Sequence, residues 1–273
     1  MPDKKVTTGT TSTQENNIIH QKITRVKELF LLFWVNESDD SRHAFFEEAC
    51  MTRFYNIVNS PHYKKEKHKV HFAAISKLDQ IKSIIANRID QYGGKNKARV
   101  REVGIFSHAG KIDGPTTKST ENQPPVPRFP QQMNIQGGWD DIDFNWLEKD
   151  AMFVMYGCRT SFKDKESGEG FANKLSRLDN FKNINVWGQT ETTYPSFYPD
   201  VRETSVVRSM NIAWSFDLTY MVACIEDQGW EALFPDKEKP LKALPMQCFN
   251  NGELIKTSDQ SFFNDHRKNK KND

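Results

Sequence analysis

The sequence predicts an α/β fold with a mostly parallel central sheet and helices on both faces. Short runs of apolar residues alternate with segments in which apolar residues recur every three or four positions, in the order strand, helix, strand, helix, strand. An uninterrupted apolar run is typical of a strand buried on both faces, and strands joined by helices run parallel. The 273 residues, 19 of them Phe, are enough to build one packed domain.

The first half of the chain contains three predicted strands and two predicted helices. Apolar runs predict strands over residues 28–35, 70–75 and 101–107. A helix is predicted over 43–58, followed by Pro61 and a basic loop. A second, amphipathic helix is predicted from Ile75 to Ile89, and the glycine pair Gly93–Gly94 ends it.

A long segment over 109–149 then interrupts the alternation, because it is rich in proline and has little periodicity. We predict a loop here, and loops of this length in a domain usually carry function or are mobile. Beyond it, the pattern predicts strands over 151–156 and 184–187, with a short helix over 171–181 between them. Residues 209–225 predict one further strand or a hairpin, and the pattern assigns nothing else in the C-terminal third.

Composition divides the chain into one domain with two polar ends. Residues 1–20 are Thr-, Asn- and Lys-rich and predict a disordered arm, 21–264 a single domain, and 265–273 a charged tail. The first residues lack the apolar core of a secretory signal, so we expect a cytoplasmic protein as synthesised, with signal-independent export left open. The net charge of +2 gives no sign of nucleic-acid binding, and the longest apolar runs are too short for a membrane span.

The four cysteines, at positions 50, 158, 224 and 248, form no CxxC pair, which argues against a zinc ribbon or a thioredoxin-like motif. His62, His68 and His71 cluster in sequence, but the surrounding lysines would repel a cation, so no metal is predicted. The chain contains none of the motifs GxxxxGK[ST], GxGxxG and GxSxG. We therefore predict no cofactor, and an enzyme of phosphates or nucleotides has only weak support.

Chemically distinctive residues follow the carboxyl ends of the predicted third and fourth strands, where open α/β sheets bind ligands. The third strand leads into His108, Ala109 and Gly110, and the fourth into Gly157 and Cys158. If these strands are neighbours, the His108 imidazole and the Cys158 thiol lie side by side, as nucleophilic catalysis requires. The flanking glycines, Gly110 and Gly157, would let backbone N–H groups face the reacting carbonyl, as an oxyanion hole requires.

A strand ending in His-small-Gly, followed by one ending in Gly-Cys, resembles the caspase–hemoglobinase group of cysteine peptidases, which includes bacterial caspase-like domains. His108 and Cys158 are 50 positions apart, close to the spacing of about 50 in caspases. The resemblance covers about residues 28–190 and implies a caspase-like three-layer sandwich. It also implies that Cys158 is the nucleophile, that His108 is the general acid/base, and that the backbone near Ala109 or Gly110 forms part of the oxyanion hole. The chain departs from the caspase pentapeptide, reading Tyr-Gly-Cys-Arg-Thr, and its glycine follows the histidine by one extra place.

Residues near these strand ends are candidates for a substrate pocket: Asp113, Asp141, Arg159, Gln189 and Glu191. The acidic cluster around Asp141 has an alternative interpretation as solvated surface. The partners we expect are a protein or peptide substrate and, through the 111–149 loop, a protein partner.

Two functions remain open from the sequence. The first is a cysteine hydrolase, most simply an endopeptidase that forms an acyl-enzyme on Cys158. The second is a non-catalytic caspase-like or flavodoxin-like scaffold that binds a protein partner or a small ligand, because a fold does not dictate a function. An exported effector is compatible with either function.

Overall fold

A computed structural model describes residues 26–36, 44–110, 114–116, 138–162, 168–197, 219–223 and 244–258. Its α-helices are α1 (Ala44–Val58), α2 (Leu78–Gln91) and α3 (Phe171–Leu175). Its strands are β1 (Lys27–Val35), β2 (His68–Ile75), β3 (Ala98–Phe106), β4 (His108–Gly110), β5 (Gly114–Thr116), β6 (Met152–Met155), β7 (Asn185–Gly188), β8 (Thr193–Phe197), β9 (Thr219–Ala223), β10 (Met246–Asn250) and β11 (Glu253–Ser258).

Seven of these strands form the central sheet, in the order β11-β10-β7-β6-β3-β1-β2. The five strands from β7 to β2 run parallel, whereas β10 is antiparallel to β7 and β11 to β10. The predicted α/β fold with a mostly parallel sheet is therefore confirmed. Because the parallel strands point the same way, their carboxyl ends form one edge of the sheet and their amino ends the other.

Both faces of the sheet are covered, which explains why β1 is apolar at nearly every position. On one face Leu29, Leu31 and Phe33 pack with the apolar stripe of α2 and with α3. On the other face Phe30 and Leu32 pack in a second cluster with α1. The chain thus forms three layers, with α1 on one side of the sheet and α2 and α3 on the other.

The predicted helix over 171–181 is interrupted in the structure. Helix α3 ends at Leu175, and a separate 3₁₀ turn follows at Asp179–Phe181. The Ser176 hydroxyl donates to the Asn173 carbonyl and accepts the backbone N–H of Gly252. A serine hydroxyl that bonds to backbone groups competes with the helical hydrogen bonds and so weakens a helix. One of the two groups bound by Ser176, the Gly252 N–H, is distant in sequence.

The sequence prediction for the C-terminal third contained the strand β9, within 209–225, but neither its partner β8 nor the β10–β11 hairpin. Strands β10 and β11 are joined at Asn251 and Gly252, both with positive φ, and Asn-Gly is the dipeptide that favours such a tight turn. Strand β9 lies inside the predicted 209–225 segment, where it pairs with β8 in a separate two-stranded sheet. The Asn-Gly signal could have identified the first hairpin, whereas β8 contains a proline, which argues locally against a strand.

Several predictions concern residues outside the described ranges: the arm 1–20, the tail 265–273, Cys224, Asp113 and most of the 111–149 loop. Those predictions stay predictions. Within the part of the chain that the structure describes, no helix combines the length and apolar composition needed to cross a membrane.

Candidate active site at the carboxyl edge of the sheet

Strands β3 and β6 are direct neighbours, so the segments that follow them leave the sheet side by side. Their parallel pairing ends at Ile105 and Met155, and the Tyr156 N–H extends it by donating to the Ile105 carbonyl at 2.9 Å. The next residues along the two segments are Gly157 and Cys158 on one and Ser107 and His108 on the other. The condition on which the sequence prediction depended, that these two strands are adjacent, is met.

Gly157 shows how closely the two segments approach. A Cβ atom at Gly157 would lie 2.7 Å from the Ser107 carbonyl oxygen and 2.8 Å from the Ala109 Cβ. Real Cβ atoms do not approach other atoms that closely, so a side chain here would force the segments apart. Glycine is therefore needed at position 157. With any other residue there, Ser107 and Ala109, the two neighbours of His108, could not contact the segment that leads to Cys158.

His108 begins a short hairpin, in which it pairs with Thr116 across strands β4 and β5. Its ring meets the ring of Phe46 edge-on, with centroids 5.0 Å apart and planes at 88°. Phe46 is buried in the first turn of α1, so the helix layer supports the imidazole from one side. The imidazole remains partly exposed.

Cys158 differs from the other described cysteines in its exposure. Cys158 is partly exposed, whereas Cys50 and Cys248 are buried in the core on the α1 side. Burial and the nearby Glu47 charge raise the pKa of the Cys50 thiol well above its usual range, and burial raises the pKa of Cys248 to about 12. A thiol with such a high pKa is almost entirely protonated at neutral pH and is unreactive.

The Cys158 sulfur contacts Thr193, the first residue of β8. The Thr193 backbone N–H donates to Sγ at 3.3 Å, and the Thr193 hydroxyl oxygen lies 3.3 Å from Sγ. The thiol can in turn donate to the Thr193 carbonyl, 3.8 Å away. The sulfur therefore has two potential hydrogen-bond donors from the same residue, the Thr193 N–H and the Thr193 hydroxyl.

Arg159 and Glu191, two predicted pocket residues, lie together beside the thiol. The Arg159 backbone N–H donates to the Glu191 carbonyl at 3.0 Å, and Arg159 Nε lies 3.6 Å from Glu191 Oε2. Arg159 has a φ of 56°, a left-handed conformation that is uncommon for a residue with a long side chain. The turn after Cys158 is thus held against the segment that follows β7.

Gln189 has a structural role instead of the predicted place in a substrate pocket. Its side chain is fully buried and donates through Nε2 to the Met221 carbonyl at 3.3 Å. Its backbone N–H donates to the Thr160 hydroxyl at 3.0 Å, and its carbonyl accepts the Ser161 N–H at 2.8 Å. Gln189 therefore joins the turn after Cys158 to β9, and a buried side chain used in this way does not line a cleft.

Asp141, for which both a pocket and a solvated surface were open, lies in a turn. Asp141 is the last residue of the 3₁₀ turn Trp139–Asp141. The Asn180 side-chain amide donates to the carbonyls of Trp139 and Ile142, at the two ends of this turn. Asn180 precedes β7, and the chain after Asp141 continues along the amino end of β3, where Leu147 N–H donates to the Val100 carbonyl. The turn therefore belongs to the opposite edge of the sheet from Cys158, and the exposed Asp141 is better described as solvated surface.

The predicted oxyanion-hole residues are only partly described. Gly157 and Ala109 contact one another as stated above, and Gly110 pairs with Gly114 in the hairpin. Their role as N–H donors to an oxyanion stays a prediction.

Two of the histidines considered as metal ligands, His68 and His71, have different partners. His68 lies 3.3 Å from Glu28 through Nε2, and its Nδ1 accepts the Lys64 N–H. His71 shares a hydrogen bond of 3.0 Å with the Tyr92 hydroxyl. Among the residues with described positions, no three His, Cys, Asp or Glu side chains are grouped so that they could hold a metal ion.

Thr193 and Phe46 are the site residues that the sequence interpretation missed. Thr193 lies 35 positions after Cys158, in a stretch without a recognisable motif, so no local signal marks it. Phe46 was interpreted only as one of several apolar positions on a helix. Its contact with His108 depends on how α1 packs on the sheet.

Comparisons of the chain with protein-family models, with curated proteins and with solved structures found no match.

Proposed function

We propose that this protein is a cysteine hydrolase, most simply an endopeptidase, in which Cys158 is the nucleophile and His108 the general acid/base. The observation that carries the proposal is the pairing of β3 with β6, which brings the His108 and Cys158 segments into contact through Gly157. A thiol and an imidazole that share one edge of the sheet are the two groups that acyl transfer requires.

The reaction begins when the Cys158 thiolate attacks the carbonyl carbon of a peptide bond. The C–N bond breaks, the acyl group stays on sulfur as a thioester, and His108 gives its proton to the departing amine. Water then attacks the thioester, transfers a proton to His108 and releases a carboxylic acid and the free thiolate. Each step needs only the thiol, the imidazole and water, so it requires no metal or cofactor.

The environments of the cysteines support the choice of Cys158. The thiols of Cys50 and Cys248 are buried with raised pKa values, which disfavour the nucleophilic form. Cys158 is partly exposed, at the edge of a sheet where small molecules and peptides bind in α/β folds. Strand β6 lies between β7 and β3 in the sheet, so the Cys158 segment is flanked by the chain after β7, which contains Thr193, and by the chain after β3, which contains His108.

The first test measures thiol reactivity, because it requires no knowledge of the substrate. The native protein is alkylated with iodoacetamide at pH values from 5 to 9, and the rate at each cysteine is followed by mass spectrometry. We expect Cys158 to react fastest near neutral pH, and His108→Ala to slow that reaction at the same pH. If all four thiols react slowly and alike, the binding scaffold becomes the better hypothesis.

The second test measures peptide cleavage. A peptide library is incubated with the wild-type chain, with Cys158→Ala and with Cys248→Ala, and the products are identified by mass spectrometry. We expect cleavage by the wild type and by Cys248→Ala, and a loss of more than about a thousandfold in Cys158→Ala. Full turnover by Cys158→Ala would end the proposal, provided that circular dichroism shows the same fold.

A further inference from the structure

One residue, Thr193, makes three contacts with the sulfur of Cys158. Its N–H donates to Sγ at 3.3 Å, its hydroxyl oxygen lies at 3.3 Å, and its carbonyl oxygen lies at 3.8 Å. Thr193 is 7% exposed and Cys158 is partly exposed, so the contacts are partly shielded from bulk water. Hydrogen bonds between neutral groups and a charged atom are stronger where water is excluded.

The three contacts fit both protonation states of the sulfur. As a thiol, Cys158 donates its proton to the carbonyl or the hydroxyl oxygen of Thr193. As a thiolate, it can accept two hydrogen bonds, one from the N–H and one from the hydroxyl, which rotates to direct its proton at the sulfur. Donors directed at a charged atom favour the charged form over the neutral one.

The position of Thr193 is held from two directions. Two residues earlier, the Glu191 carbonyl accepts the Arg159 N–H, and the Arg159–Glu191 ion pair holds the same two segments together. On the other side, Thr193 pairs with Ala223 in the β8–β9 sheet. A donor held in place before the reaction costs no reorganisation when charge develops, which is the general requirement for electrostatic stabilisation.

We infer that Thr193 is a positioning residue that orients the Cys158 sulfur and stabilises its thiolate through the backbone N–H and the side-chain hydroxyl, a role that rests on the proposed function. The hydroxyl can be removed by substitution, whereas the N–H stays in every variant. Thr193→Val keeps the branched shape and removes the hydroxyl. Thr193→Ser keeps the hydroxyl and removes a methyl group, so the two variants separate hydrogen bonding from packing.

The test is the rate of iodoacetamide alkylation at Cys158 as a function of pH in the wild type, Thr193→Val and Thr193→Ser. In Thr193→Val we expect the midpoint of the profile to rise by about one pH unit. At pH 7 we expect the rate to fall by about threefold to tenfold. Thr193→Ser should restore the wild-type midpoint to within about 0.3 of a pH unit.

Thr52→Val is the matched control, because it also removes a buried threonine hydroxyl. The Thr52 hydroxyl donates to the Glu48 carbonyl within α1. We expect Thr52→Val to lower the thermal midpoint of unfolding while the alkylation profile of Cys158 stays where it is. A general loss of stability therefore does not reproduce the effect expected at Thr193.

Two failures can be told apart in this experiment. If Cys158 in the wild type reacts no faster than the buried thiols, the proposed function itself fails. If Cys158 is reactive and Thr193→Val leaves the profile unchanged, or Thr193→Ser shifts it as much as Thr193→Val does, the role of the Thr193 hydroxyl is overturned while the dyad stands.

Discussion

The two edges of the central sheet both carry polar side chains, but these side chains have different partners. At the amino edge, the buried Glu28 carboxylate contacts three basic side chains, Lys67, His68 and Arg101. At the carboxyl edge, the Cys158 thiol contacts neutral donors of Thr193, and the His108 ring packs on Phe46. One edge holds a carboxylate paired with basic side chains, and the other holds a thiol that contacts the uncharged groups of Thr193.

The difference indicates which edge is structural. A buried charge is tolerated when it is paired, and removing one partner leaves the others uncompensated. Burial alone would raise the pKa of Glu28, but the hydrogen bonds and positive charges of Lys67 and Arg101 outweigh it and lower the pKa. Glu28 therefore stays ionised and paired, as a residue that maintains the fold does.

The amino edge is also closed by the backbone. The segment after Asp141 runs along β3, where the Val100 N–H donates to the Asn145 carbonyl and the Leu147 N–H to the Val100 carbonyl. The Asn145 amide in addition donates to the Ala98 carbonyl at 2.7 Å. The residues that follow β3 and β6 at the carboxyl edge instead turn away into a hairpin and a tight turn, which leaves His108 and Cys158 partly exposed.

The largest effect is expected at the carboxyl edge, from Gly157→Ala. The added methyl would contact the Ser107 carbonyl and the Ala109 Cβ, so the two segments must separate. We expect a loss of about 2 to 3 kcal/mol in the free energy of unfolding, measured in urea, and a clear loss of alkylation rate at Cys158.

Gly104→Ala is the control for this variant, because Gly104 lies on the adjacent strand β3. There the new methyl would approach the end of the Leu32 side chain at 2.9 Å, and a flexible side chain can move. The expected cost is about 1 kcal/mol, with Cys158 still reactive. Equal losses of Cys158 alkylation rate in both variants would show that the close contact at Gly157 has no particular influence on the reactivity of Cys158.

A smaller effect is expected at the amino edge, from Glu28→Gln. Arg101 and Lys67 are partly exposed and regain water when the carboxylate is removed, so the expected cost at pH 7 is about 1 to 2 kcal/mol. Cys158 should keep its alkylation rate. A strong loss of Cys158 reactivity in this variant would contradict the separation of the two edges.

The pH dependence of Glu28→Gln gives a second readout. The pKa of Glu28 in the folded protein lies below its usual value of 4.5. As the pH falls, Glu28 is therefore protonated in the unfolded chain before it is protonated in the folded protein. The stabilisation by Glu28 is therefore complete above about pH 4.5 and is lost as the pH falls through the folded pKa. Acid titration of stability should be shallower in the variant than in the wild type.

The smallest effect concerns His71, a histidine of β2 bonded to Tyr92. Burial, with the charges of Arg88 and Lys69, lowers the pKa of His71 from 6.5 to about 4. Its contribution to stability is thus present above about pH 6.5 and is lost as the pH falls towards 4. In urea unfolding between pH 7 and pH 4.5, the wild type should lose about 1 kcal/mol more than His71→Gln. An identical loss in both proteins would rule out titration of His71 as the cause.

Much of the fold could be predicted from local patterns. The apolar run of β1 and the stripe Leu78, Ile81, Ile85 and Ile89 of α2 are signals of buried strands and of an amphipathic helix, and both elements lie where they were predicted. The broken helix after Leu175 was not predictable, because Ser176 takes a partner from the distant β10–β11 turn. The same limit applies to β8, whose partner β9 begins more than twenty residues later.

The sequence by itself determined the alternation of strands and helices, and with it the order in which His108 and Cys158 follow two strands. Tertiary structure alone decided that these strands are neighbours, that Thr193 lies against the thiol, that Gln189 is buried and that Asp141 belongs to the other edge. Periodicity reports which face of an element is buried, a property of consecutive residues. Which strand pairs with which, and which loop returns to a given atom, depends on packing between residues far apart in the chain, which no local pattern records.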